Sequence, residues 1–95
     1  MPIETLPFDA APYFTTPEAQ AKLLAEAFET GEVGFIATAL GTVARARGMG
    51  HVAEEAGISR QGLHKALSDK GDPKLSTLIE VAKALGFRLT MVPAQ

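Results

Sequence analysis

Ninety-five residues are enough for one compact domain, and a composition 46% hydrophobic and 21% charged suits a small globule and excludes a disordered tail. The absence of cysteine excludes disulfides, thiolate nucleophiles and Cys-ligated zinc. The net charge of -2 gives no sign of a nucleic-acid partner, and no apolar run approaches the ~18–20 residues of a membrane span.

The first sixteen residues carry Pro2, Pro7 and Pro12 and cannot form a long helix. They also hold Phe8, Tyr13 and Phe14, so the arm is expected to pack on something. Its start, Met1-Pro2-Ile3-Glu4, lacks the basic residues of a signal peptide, and with the missing cysteines this fits a cytoplasmic protein. Thr16-Pro17-Glu18 supplies an N-cap, a proline at the first helical position and an acid in the first turn. Ala19, Leu23, Ala27 and Phe28 then share a face, and Gly31 ends the first helix.

A second helix is expected from about Glu32 to Arg47, with Phe35, Ile36, Leu40, Val43 and Ala44 as its apolar stripe. Arg45 and Arg47 lie in its last turn, where they either complement the helix dipole or reach phosphates. Short helices follow at about 50–56 and 59–68, and a fifth begins near Lys74 or Leu75. Leu75, Leu78, Ile79, Ala82 and Leu85 form its apolar face, and Gly86 closes it. Phe87, Leu89 and Met91 alternate with polar residues ahead of Pro93, which predicts a short strand. A lone strand needs a partner, so these three residues are expected either to pair with their twins in a dimer or to join a partner's sheet. The expected domains are an arm at 1–16, a helical unit at 17–86 and a strand with tail at 87–95.

The stretch Ala53-Glu54-Glu55-Ala56-Gly57-Ile58-Ser59-Arg60 reads as a helix-turn-helix. Ala53 is small enough for two helices to meet closely, Gly57 tolerates the positive φ of the connection, Ile58 plugs the angle and Ser59 caps the second helix. Leu63, Ala66 and Leu67 return that helix to the core. Arg60, Gln61, His64 and Lys65 stay outside, on the surface from which a recognition helix contacts base edges. The structural alternative is a helix pair with a solvated polar face. Backbone contacts are expected from Arg45, Arg47, His51, Ser59, Lys70 and Lys74.

The charge follows this division. Residues 1–42 carry a net -5, residues 43–74 a net +2 and the remainder +1. An acidic first third therefore precedes a modestly basic helix-turn-helix, which hints at two surfaces with different partners.

Ala44-Arg45-Ala46-Arg47-Gly48-Met49, Val52-Ala53, the turn sequence and Leu63-His64-Lys65-Ala66-Leu67-Ser68 together resemble the addiction-module antidote family, HigA-like antitoxins with an Xre/Cro-type helix-turn-helix. Phe8-Asp9, Tyr13-Phe14, Gly71-Asp72-Pro73 and Leu85-Gly86-Phe87 extend the resemblance over nearly the whole chain. It implies an all-α, five-helix, Xre/lambda-repressor-like domain with a short C-terminal β-strand, acting as a homodimer. The implied partners are operator DNA and a cognate RelE/ParE-superfamily toxin, which the protein would bind and neutralise while repressing the shared operon. Phe8, Asp9, Tyr13 and Phe14 of the acidic arm are the expected toxin contacts. Relatives commonly carry Ser or Thr followed by Gln where this chain has Gly50-His51, which puts the backbone contact of His51 in question.

No cofactor, metal or catalytic activity is expected. His51 and His64 lack carboxylates at ligand spacing, Ser59 is explained by capping, and no strand precedes Gly48-Met49-Gly50 to make it a phosphate loop. Two rival functions stand beside the antitoxin: a prophage-type repressor without a toxin, separable by the neighbouring reading frame, and a helical adaptor that does not touch DNA.

Overall fold

The computed structural model describes residues 9–94. A 3-10 turn at Ala11–Tyr13 leads into five α-helices: α1 (Pro17–Thr30), α2 (Val33–Arg47), α3 (Met49–Ala56), α4 (Arg60–Ala66) and α5 (Leu75–Ala84). The described residues contain no strand.

Local chemistry sets most of the boundaries. Thr16 Oγ1 accepts the Ala19 N–H at 3.1 Å and caps α1, with Pro17 at the first helical position. Glu32 precedes α2 as its N-cap residue in extended conformation. The third helix begins at Met49 behind Gly48, so Gly50 lies within the helix and is not its cap.

The α3–α4 connection is a three-residue turn, Gly57–Ser59. Gly57 adopts φ 75°, and its N–H and that of Ile58 bond back to the end of α3, the latter to Ala53 O at 3.0 Å. A side chain at this φ would crowd the backbone, so glycine fits best. Ser59 Oγ accepts the Gly62 N–H at 2.9 Å and starts α4.

Leu24, Leu40, Val43, Val52, Leu63, Leu67, Val81 and Leu85 form the centre of one core, with Ile58 and Leu78 packed against it. The fifth helix packs chiefly on α3, and α1 on α2. Three helical faces differ from those the spacing predicts. The buried positions of α1 are Gln20, Leu24 and Ala27, while Phe28 is 41% exposed. Phe35 on α2 is also exposed, outside the buried stretch of that helix at 39–44, and Leu75 and Ile79 are exposed because the inward stripe of α5 is Leu78, Val81, Ala82 and Leu85.

Close backbone approach explains one small residue on α2. A Cβ on Gly41 would sit 2.5 Å from the Leu67 carbonyl oxygen, so glycine is needed for the α4 exit to lie against α2.

The expected strand at 87–92 does not form. The Phe87 N–H bonds to Ala82 O at 2.8 Å, as part of the turn in which Gly86 closes α5. Phe87 packs on the core, and Leu89 is half-buried, while Met91 and Val92 lie almost wholly in solvent. Alternation along this segment records partial burial of a coil, since among the described residues there is no second strand to complete a ladder.

Candidate nucleic-acid interface

Leu63 is fully buried and anchors the inner side of α4. Arg60, Gln61, His64 and Lys65 are all exposed. At ~100° per residue they cover an arc of about 140° on the outer face. Two of them are cations and two carry side-chain amide or imidazole donors, a set able to address base edges and phosphates.

A shallow depression of about 340 Å³ lies beside this face. Lys65, Lys70 and Lys74 line it, together with Gly62, Gly71 and Thr77. Lys70 comes from the loop after α4 and Lys74 is the N-cap residue of α5, so the fold gathers three cations from three elements. Gly71 keeps this loop tight, because a Cβ there would collide with the Ala66 carbonyl. Asp72 also lines the depression and tempers its charge.

The other expected backbone-contact residues are placed differently. Arg45 Nε donates to Asp9 Oδ1 at 3.1 Å, and its Nη2 reaches Thr42 Oγ1 at 3.5 Å. Arg47 donates from Nε at 3.0 Å and from Nη2 at 2.8 Å to Gln20 Oε1. Both arginines therefore hold the N-terminal segments to the end of α2. His51 is exposed, with Nε2 3.7 Å from Glu55 Oε2 one turn along. The Ser59 hydroxyl oxygen serves the cap of α4.

Asp9 accepts the Ala11 N–H at 3.1 Å as well as the Arg45 bond. That backbone donor first, and the guanidinium second, hold its carboxyl below the usual carboxylate value. Among the other residues expected at the toxin, Tyr13 is 71% exposed and Phe14 is half-buried. Phe8 lies outside the described residues. Of the residues expected to form a dimer strand, Phe87 packs on this chain's own core, Leu89 is half-buried and only Met91 projects fully.

Gln20 was not singled out by the sequence reading. It is 2% exposed, and its Nε2 donates to the Phe14 carbonyl at 2.8 Å while Oε1 receives Arg47. Its signal was a polar residue four positions before Leu24, in register with the buried face.

Among the described residues, no three or more His, Asp or Glu side chains gather as a metal site, and no helix is long and apolar enough to cross a membrane.

Residues 4–93 match the family described as "Probable addiction module antidote protein". A Haemophilus influenzae protein (strain ATCC 51907 / DSM 11121 / KW20 / Rd), described as an uncharacterized protein, is 43% identical over 81 residues, covering 85% of this chain and 84% of its own. No solved structure matches.

Proposed function

The chain belongs to the probable addiction module antidote protein family, and from this premise we propose that it is the antitoxin of a type II toxin–antitoxin pair. An antidote implies a toxin. In this reading the toxin is of the RelE/ParE superfamily and is neutralised by direct binding, without catalysis by the antitoxin, in the cytoplasm. The same protein represses its own operon through an Xre-type helix-turn-helix made by α3 and α4.

The observation that carries the DNA half of the reading is the exposed, cation-bearing face of α4, flanked by Lys70 and Lys74. With α4 in the major groove, Arg60 is suited to the acceptor pair of guanine, Gln61 to adenine, and His64 and Lys65 to neighbouring acceptors. Lys70 and Lys74 meet phosphates and fix the register. One α4 reads too few bases for an operator, so a homodimer places its second copy about one helical turn, ~34 Å, away.

Co-expression with the product of the adjacent reading frame tests the toxin half: growth should be rescued and the two proteins should co-purify. A gel shift with the DNA upstream of the gene tests the other half. A prophage-type repressor would shift the DNA without rescuing growth, and an adaptor would leave the DNA unshifted.

A further inference from the structure

The end of α1, the start of α2 and the segment entering α5 enclose an apolar groove of about 120 Å³. Phe28, Val33, Ile36, Pro73 and Leu78 line it, with Asp72 as its acidic wall. Phe28 is 41% and Val33 51% exposed, and Leu75, one turn before Leu78, is 67% exposed. Apolar side chains gathered around a preformed hollow mark a place where another molecule can bury a side chain. The volume suits one bulky apolar residue.

The charge near this groove has one sign on its α1–α2 side. From residue 23 to residue 44 the chain has no Lys or Arg but carries Glu26, Glu29 and Glu32. Glu29 follows Phe28 directly, and Glu32 directly precedes Val33. Among the described residues the ion pairs are Arg45–Asp9, His51–Glu55 and Lys83–Glu80, and none of them engages Glu29, Glu32 or Asp72, although Asp72 also borders the depression that bears Lys65, Lys70 and Lys74. Asp9, by contrast, is already committed to Arg45.

We propose that this groove is where the toxin docks, receiving one large apolar side chain from a segment whose Lys or Arg residues meet Glu29, Glu32 and Asp72. The proposal rests on the reading that neutralisation occurs by direct binding, and it moves the expected contact from the arm to the α1–α2 corner. Buried apolar contact supplies affinity, while the acidic rim attracts and orients a basic partner.

The test is calorimetric titration of the full chain with the purified product of the adjacent reading frame. Val33→Lys should weaken binding at least ~10-fold, and Glu32→Lys at least ~3-fold with a larger effect at low salt. Binding to the upstream DNA should be unchanged in both. Glu32 is exposed and directly precedes Val33, so Glu32→Lys gives a readout should Val33→Lys not fold. Unaltered toxin affinity in both folded variants, with tight binding by the parent chain, would overturn the groove and leave the antitoxin reading intact. No binding by the parent chain would overturn both. A drop from dimer to monomer mass with toxin affinity unchanged would assign the groove to a second copy of this chain and refute the proposal.

Discussion

Arg47 donates two hydrogen bonds to a single oxygen of Gln20, at 3.0 and 2.8 Å across 27 positions of chain. The other end of the same amide donates to the Phe14 carbonyl at 2.8 Å. One buried glutamine thus joins the N-terminal arm, α1 and the end of α2, with both ends of its amide satisfied. A buried polar group is stable only on those terms.

Replacing Gln20 by Leu should therefore destabilise the protein despite adding an apolar group to the core. The Phe14 carbonyl loses its donor and the Arg47 guanidinium its acceptor, at a cost of roughly 1–3 kcal/mol. Urea unfolding measures this, and a midpoint equal to that of the parent would contradict the account. The variant should also raise the proteolytic susceptibility of the arm.

Gly41→Ala should cost about 1–3 kcal/mol, because the added methyl meets the Leu67 carbonyl oxygen and the α4 exit must move. The same displacement shifts α4 relative to α2. Thermal unfolding should show a lowered midpoint, and ¹H–¹⁵N spectra should show the largest changes at residues 63–71.

Asp9 should titrate below an ordinary aspartate. Its folded value is lowered, so its contribution to stability is present above the unfolded value and is lost as pH falls through the folded one. Arg45→Ala should raise the Asp9 midpoint only in part, since the Ala11 N–H is the larger cause. Carboxyl-carbon NMR titration follows the group directly. Full return to an ordinary value in Arg45→Ala would show that the backbone bond contributes nothing.

The helix boundaries were legible because caps are local. Thr16-Pro17, Gly31, Gly57, Ser59 and Gly86 each act within a few residues of where they stand, and the structure uses each at a helix end. The commitments of Arg45 and Arg47 were not legible, since their partners lie 36 and 27 positions away and a last-turn arginine looks the same with or without them. Helical period alone points Phe28 and Phe35 inward, but it cannot say how wide the facing surface is. At 87–91 a period of two predicts a strand, but partial burial of a coil produces the same alternation.

On DNA, Arg60→Ala should cost about 1–3 kcal/mol and relax preference at one base pair, whereas Lys74→Ala should weaken all sequences alike and reduce the salt slope by about one. Arg47→Ala should act mainly on stability, because its guanidinium is bound to Gln20. Loss of DNA binding by a folded Arg47→Ala chain would restore that arginine to the interface.

The most direct measurement is fluorescence-anisotropy titration of the full chain with the duplex upstream of its own gene and with an unrelated duplex of equal length, across a salt series. The expected result is preference for the upstream duplex by at least ~10³-fold, a linear fall of log affinity with log salt, and loss of the preference in Arg60→Ala. Equal affinity for the two duplexes, or no binding at moderate salt, would contradict it.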